Sequence, residues 1–155
     1  MENKIGLDSA YANDMAEKLN AYLSNVQVVY MNVRGYHWNV TGKHFFVLHE
    51  KFEELYNALN EMADEVAERI LMLGGSPVHA FSKYLKLAKV PEKENVSSSE
   101  DTVKEVVSEL KHLLEDERSL IDAASENGDE GTVNMLSEYI DSQEKMIWMF
   151  SALLK

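Results

Sequence analysis

Only two prolines, Pro77 and Pro91, occur in 155 residues, and both lie in the middle of the chain. Proline removes an amide donor and clashes with the preceding helical turn, so long helices are expected on either side of that region and an irregular connection within it. Apolar residues on both sides recur at spacings of three and four, the period of an amphipathic helix. A first helix is expected from about Asp8 to Arg34, on the stripe Ala16, Leu19, Leu23, Val26, Tyr30 and Val33, with Gly35 and Gly42 bracketing a break. A second, about Lys43 to Leu73, carries Phe45, Leu48, Phe52, Leu55, Leu59, Met62, Val66, Ile70 and Leu73. It stops at Gly74-Gly75 with Pro77 behind them. A third begins after Ser97-Ser98-Ser99, where Ser97 and Glu100 have capping-box spacing, and carries Val103, Val106, Leu110, Leu113 and Leu120. A fourth follows Gly131-Thr132 on Val133, Leu136, Ile140, Ile147, Phe150 and Leu154, with Met146, Trp148 and Met149 assigned to its packing. Between the second and third, Phe81 to Leu87 reads as a short helix.

Short loops alone would produce a simple up-down bundle. The middle connection of about twenty-five residues instead predicts an up-down-down-up arrangement: an all-α, ferritin-like four-helix bundle with a long crossover carrying a short extra helix. No repeat, low-complexity tract or second domain interrupts the pattern, so residues 1–155 read as one domain, and 45% hydrophobic content supplies a core. The chain has no cysteine, which removes disulfides, thiolate metal sites and cysteine catalysis together. Any metal must be held by nitrogen and oxygen, from five histidines and 27 acidic residues. No apolar run approaches the ~18 residues of a membrane span, and MENKIGLDSAYAND lacks the basic start and apolar middle of a secretory signal, so a soluble cytoplasmic protein is expected. A formal charge of −12 points to cations as partners rather than to nucleic acid, whose phosphates are gripped by Lys and Arg.

The second helix carries two acid-bearing pairs, His49/Glu53 and Asp64/Glu68, each spaced i, i+4 so that its side chains stack on one face. Each pair has the ligand types and spacing expected of half a metal site. The fifteen positions from His49 to Asp64 span roughly 22 Å at helical rise, far beyond the ~2 Å bonds of ligation. The halves can meet only across chains. Two copies packed antiparallel about a two-fold axis near Tyr56 or Asn57 would bring His49 of one opposite Asp64 of the other. Projected at ~100° per residue, His49, Asn60, Asp64 and Glu68 lie roughly 95 to 195° from the centre of the apolar stripe, so this face points away from its own bundle.

His37-Trp38-Asn39-Val40-Thr41-Gly42, then Leu48-His49 with Glu53 four residues on, then Asp64-Glu65-Val66-Ala67-Glu68-Arg69 leading to Gly74 and Pro77, resembles the Dps family, the mini-ferritins. The helical layout extends the likeness over nearly the whole chain. The resemblance implies a hollow dodecamer with tetrahedral symmetry that oxidises Fe(II), preferentially with hydrogen peroxide, stores the ferric mineral inside and so protects the cell from oxidative damage. It implies a di-iron site at the two-fold interface, with His37 and His49 from one subunit and Asp64 and Glu68 from its mate. Glu53 stands where the family often has Asp. Trp38, beside a ligand, would supply an electron and limit radical escape. Pores lined around the start of the last helix would admit iron, which singles out Asp129 and Glu130. From Glu100 to Asp141 thirteen acidic residues face three basic ones, enough to focus cations, although Asn134 stands where a further acid is expected.

A mixed imidazole and carboxylate set suits Fe(II), and the carboxylates favour the harder Fe(III) product. Other acids read differently. Glu50, Glu54, Glu61 and Glu65 form a solvated face, and His44 and His79 are surface or loop histidines. Glu109 and His112 have the Glu-x-x-His spacing that larger ferritin bundles use on two helices; with no second copy, the pair reads as structural. Two other classes compete with the ferroxidase. A DNA-condensing protein would carry a Lys-rich tail, whereas this chain has only Lys4 before Lys18 and ends at Lys155. A non-catalytic, metal-sequestering helical assembly would not need both ligand pairs.

Overall fold

The computed structural model describes residues 1–155 and contains five helices: α1 (Ser9–Asn39), α2 (Phe45–Met72), α3 (Phe81–Leu87), α4 (Ser99–Glu126) and α5 (Glu130–Leu153). The expected elements are present, and α3 has the expected limits. α1 packs on α2 and α4, and α4 on α5. The amide of Thr41, just before α2, donates to the carbonyl of Ser97, just before α4. These two helices therefore start at the same end of the bundle and run the same way, as an up-down-down-up, ferritin-like bundle requires. The interior buries Leu19, Leu23 and Val26 of α1, Phe52, Leu59 and Val66 of α2, Leu110 and Leu113 of α4 and Leu136 of α5. Each such side chain contributes about 1.5–3 kcal/mol on leaving water.

Three boundaries differ from the expected ones. α1 does not stop at Gly35 but continues to Asn39. Glycine costs about 1 kcal/mol in a helix, and packing by the next residue outweighs it: Tyr36 is buried, meets Phe52 edge-on and donates its hydroxyl to Glu109. His37 is thereby held on a helix rather than in a loop. α4 is capped by Ser98, not Ser97, with its hydroxyl accepting from Asp101 N at 2.9 Å. α5 begins at Glu130, ahead of Gly131-Thr132, because Asp129 caps it by accepting from Thr132 N.

Asparagines on α1 hold the crossover down. Asn20 accepts from Val78 N and donates to Ser76 O; Asn25 accepts from the amides of Lys89 and Val90; Asn32 accepts from Lys93 N and donates to Pro91 O. Irregular backbone leaves amides and carbonyls without partners, and these side chains supply them. The crossover is thus fixed along α1, with α3 lying against it.

Candidate metal centre

His37, near the end of α1, and His49, in the second turn of α2, face each other across the short loop that joins their helices. Each Nδ1 bonds the other residue's backbone carbonyl, at 2.6 Å from His37 and 2.7 Å from His49. A carbonyl only accepts, so each Nδ1 carries the hydrogen and each Nε2 keeps its lone pair for a ligand. The rings stack with centroids 3.8 Å apart. Phe45 covers His49 and Tyr56 meets His37 edge-on. His37 is buried and His49 half-buried. Glu53, one turn beyond His49, places Oε1 3.8 Å from His37 Nε2, with its side chain 54% exposed. That gap is too long for a hydrogen bond but one that two ~2 Å bonds to a single ion can span.

Asp64 and Glu68 lie further along α2, exposed and one turn apart. They act on each other: the Asp64 carboxyl, by hydrogen bonding and charge, raises the pKa of Glu68. No cluster of three or more histidine and acidic side chains able to hold a metal forms within the single chain. Trp38 is 58% exposed, and the Arg34 guanidinium lies 4.8 Å over its ring.

The two residues assigned to an iron-admitting pore separate in the structure. Glu130 is exposed, as is Asn134. Asp129 is not: it is 2% exposed, paired with Arg69 at 2.5 Å, and accepts from the hydroxyls of Thr132 and Tyr11 at 2.6 and 2.7 Å. Burial alone would raise its pKa, but the Thr132 and Tyr11 bonds and the Arg69 charge outweigh it and leave the carboxyl below its ordinary value. Its charge is spent on capping α5 and tying that cap to α1 and α2, so it is unsuited to lining a channel. Gly131 permits the arrangement, because a Cβ there would lie 2.8 Å from the Arg69 guanidinium.

Other acids also depart from expectation. Glu65 is not simply solvated, since Tyr139 of α5 donates to it at 2.8 Å. Glu109 does act structurally: it is buried and accepts from Asn32 and Tyr36. Glu117, for which the sequence analysis gives no role, is buried between Tyr22 and Gln143, both of which donate to it. Its signal was an acid in phase with Val106, Leu110, Leu113 and Leu120 on the apolar face of α4. Trp148 and Met149 point outward rather than into the packing of α5.

The ferritin-like domain family matches residues 16–155. A DNA protection during starvation protein of Porphyromonas gingivalis is 43% identical over 95% of this chain and 92% of its own length. Among solved structures, the Dps protein of Vibrio cholerae O1, described as a member of a broad superfamily of ferritin-like diiron-carboxylate proteins, superposes with a TM-score of 0.97 at 47% identity, covering 99% of this chain and 97% of that one. The Dps protein of Bacillus brevis superposes at 0.91 with 36% identity, covering 96% of this chain and all of that one.

Proposed function

We propose, on the premise that this chain belongs to the Dps family of ferritin-like proteins, that it is a ferroxidase which oxidises Fe(II), preferably with hydrogen peroxide. It stores the ferric product inside a dodecameric shell and so protects the cell from oxidative damage. The observation that carries this reading is the reciprocal pairing of His37 and His49, which leaves both Nε2 atoms free on a face shared with Glu53.

In this reading His37, His49 and Glu53 of one subunit and Asp64 and Glu68 of its two-fold mate make one site. The separation of the halves along α2, roughly 22 Å by helical rise, supports the division between subunits. The histidine half is held in place before iron arrives, so ligation costs little ordering. The exposed carboxylates take the harder Fe(III), and Glu68, with two oxygens, is suited to bridging two ions. Two Fe(II) give one electron each to peroxide. Its O–O bond breaks, two protons are taken up and two waters form, so no hydroxyl radical is released. When a site holds a single Fe(II), Trp38 supplies the second electron. Glu130 and Asn134, exposed at the start of α5, line the route inward. Direct DNA condensation is disfavoured by the charge of −12.

The shared site is tested by complementation. Subunits with His37→Ala and His49→Ala, and subunits with Asp64→Ala and Glu68→Ala, each form inactive assemblies. Refolded together, they regain part of the peroxide-driven Fe(II) oxidation, read as ferric absorbance, because one site of each mixed pair is wild type. Mixed assemblies as inactive as both parents would show that the ligands belong to one chain.

A further inference from the structure

Deepening the reading above, and resting on its two-fold pairing of subunits, we propose that Arg34 binds the carboxylates of Glu61 and Asp64 on a second copy of this chain and positions the acidic half of each shared site before iron arrives.

Arg34 lies one turn before His37. Its guanidinium carbon sits 4.8 Å over Trp38, 5.5 Å over Tyr30 and 5.7 Å from the centre of Tyr56. Aromatic faces hold the cation but give its N–H groups no in-plane acceptor. Nε is buried with no partner in the chain. The ion pairs of the chain involve neither Arg34 nor Glu61, Asp64 or Glu68. A cation without an acid and acids without a cation therefore occupy one outward side of the molecule. They line adjoining depressions: Arg34 with Gln27 and Tyr84 in one, whose single acid, Glu92, makes no ion pair with it, and Glu61 and Asp64 with the same Gln27 and Tyr84 in the other.

Register explains why they do not pair within one chain and would pair between two. Tyr30 meets Tyr56 and His37 meets His49, so Arg34 stands level with Phe52 of α2. Phe52 and Glu61 are nine positions apart, about 13 Å along the helix. A two-fold axis near Tyr56 and Asn57 brings the level of Phe52 in one copy opposite Glu61 in the other, with Asp64 one turn beyond. A guanidinium offers planar donors that match carboxylates in pairs. It also relieves the like-charge pressure between Asp64 and Glu68. Fe(II) then displaces it from Asp64, so Arg34 tunes metal affinity as well as subunit pairing.

The test uses metal-free full-length protein in chelator, diluted stepwise, with the paired fraction read by native mass spectrometry. Arg34→Met weakens pairing at least about tenfold, the scale expected when one partner of a covered charge pair is removed, and Arg34→Lys restores part of it. Glu61→Gln and Asp64→Asn, both at exposed positions that leave the fold alone, weaken pairing too. Combined with Arg34→Met, neither adds its full effect. Titration with Co(II) at a protein concentration that keeps both proteins fully paired, followed by its visible absorbance, gives tighter binding in Arg34→Met than in wild type, because no cation has to leave Asp64. Unchanged pairing of Arg34→Met, or additive effects in both double-variant cycles, overturns the proposal. Wild-type protein that stays monomeric overturns the shared site along with it, whereas successful complementation beside an indifferent Arg34→Met removes this inference alone.

Discussion

Glu109 and Glu117 on α4 and Asp64 and Glu68 on α2 are the same chemical group in opposite settings. The α4 pair is buried, and neither carboxyl is in an ion pair; burial pushes both up to about 7, against the pull of the hydrogen bonds from Asn32 and Tyr36 on one and from Tyr22 and Gln143 on the other, and of the Lys93 and Arg118 charges. Near neutral pH they are partly protonated acceptors that fasten α4 to α1. The α2 pair is exposed and repels itself, and Glu68 is raised first by the hydrogen bond and charge of Asp64, with smaller contributions from desolvation and the Glu65 charge. Solvent access, not residue type, separates acids that hold the bundle together from acids free to meet a cation.

The largest effect is expected from exchanging damage between these regions. Asp64→Asn with Glu68→Gln lowers the initial rate of Fe(II) oxidation about 100-fold, as loss of metal ligation or its support does, and leaves the melting temperature of the unpaired subunit, measured metal-free at high dilution, within a degree of wild type. Glu117→Ala does the reverse. It orphans the Tyr22 hydroxyl and the Gln143 amide and opens a small void, costing about 3 kcal/mol, while activity per folded subunit is retained. Thermal unfolding at pH 5.5, alongside stopped-flow oxidation, separates the two. A large loss of stability in the α2 variant would end the distinction.

A smaller effect concerns pH. Glu109 and Glu117 titrate higher in the folded protein than their ordinary 4.5, so folding takes up protons. Their stabilising contribution is fully present below about pH 4.5, declines as pH rises and is lost above about 7, amounting to at most about 3 kcal/mol per group. Denaturant melts of metal-free protein between pH 5 and 8 show falling stability, and Glu109→Gln makes that slope shallower. A slope indifferent to Glu109→Gln would mean that this carboxyl is ionised throughout. The smallest effect tests the helix that carries His37. A Cβ at Gly35 meets nothing within 4 Å, so Gly35→Ala adds about 0.5–1 kcal/mol and leaves the oxidation rate alone. A drop in rate would show that His37 needs a pliant helix.

Much of the fold was legible in the pattern of residues. The stripe from Phe45 to Leu73 has one period throughout, and α2 forms over nearly that span. Helix ends were less legible, because Ser97 and Ser98 offer the same hydroxyl and only the folded backbone shows that the one reaching Asp101 N belongs to Ser98. Within the candidate site, the i, i+4 pairs of α2 follow from spacing. His37 does not: twelve residues and a loop separate it from His49, and no periodicity joins them. Asp129 and Glu130 are adjacent acids, yet one is buried against Arg69 and the other meets water.

From its own order of residues, this protein determined which segments are helical, that one long connection crosses the bundle, and which face of α2 carries ligand types. Those properties depend on neighbours a few positions away. Tertiary structure alone decided that Nδ1 of each histidine is consumed by the other's backbone, that Asp129 is a cap, and that Arg34, Asp64 and Glu68 are left without ion-pair partners. Each of these depends on groups brought together from distant parts of the chain, where burial and hydrogen bonding assign a side chain its charge and its role.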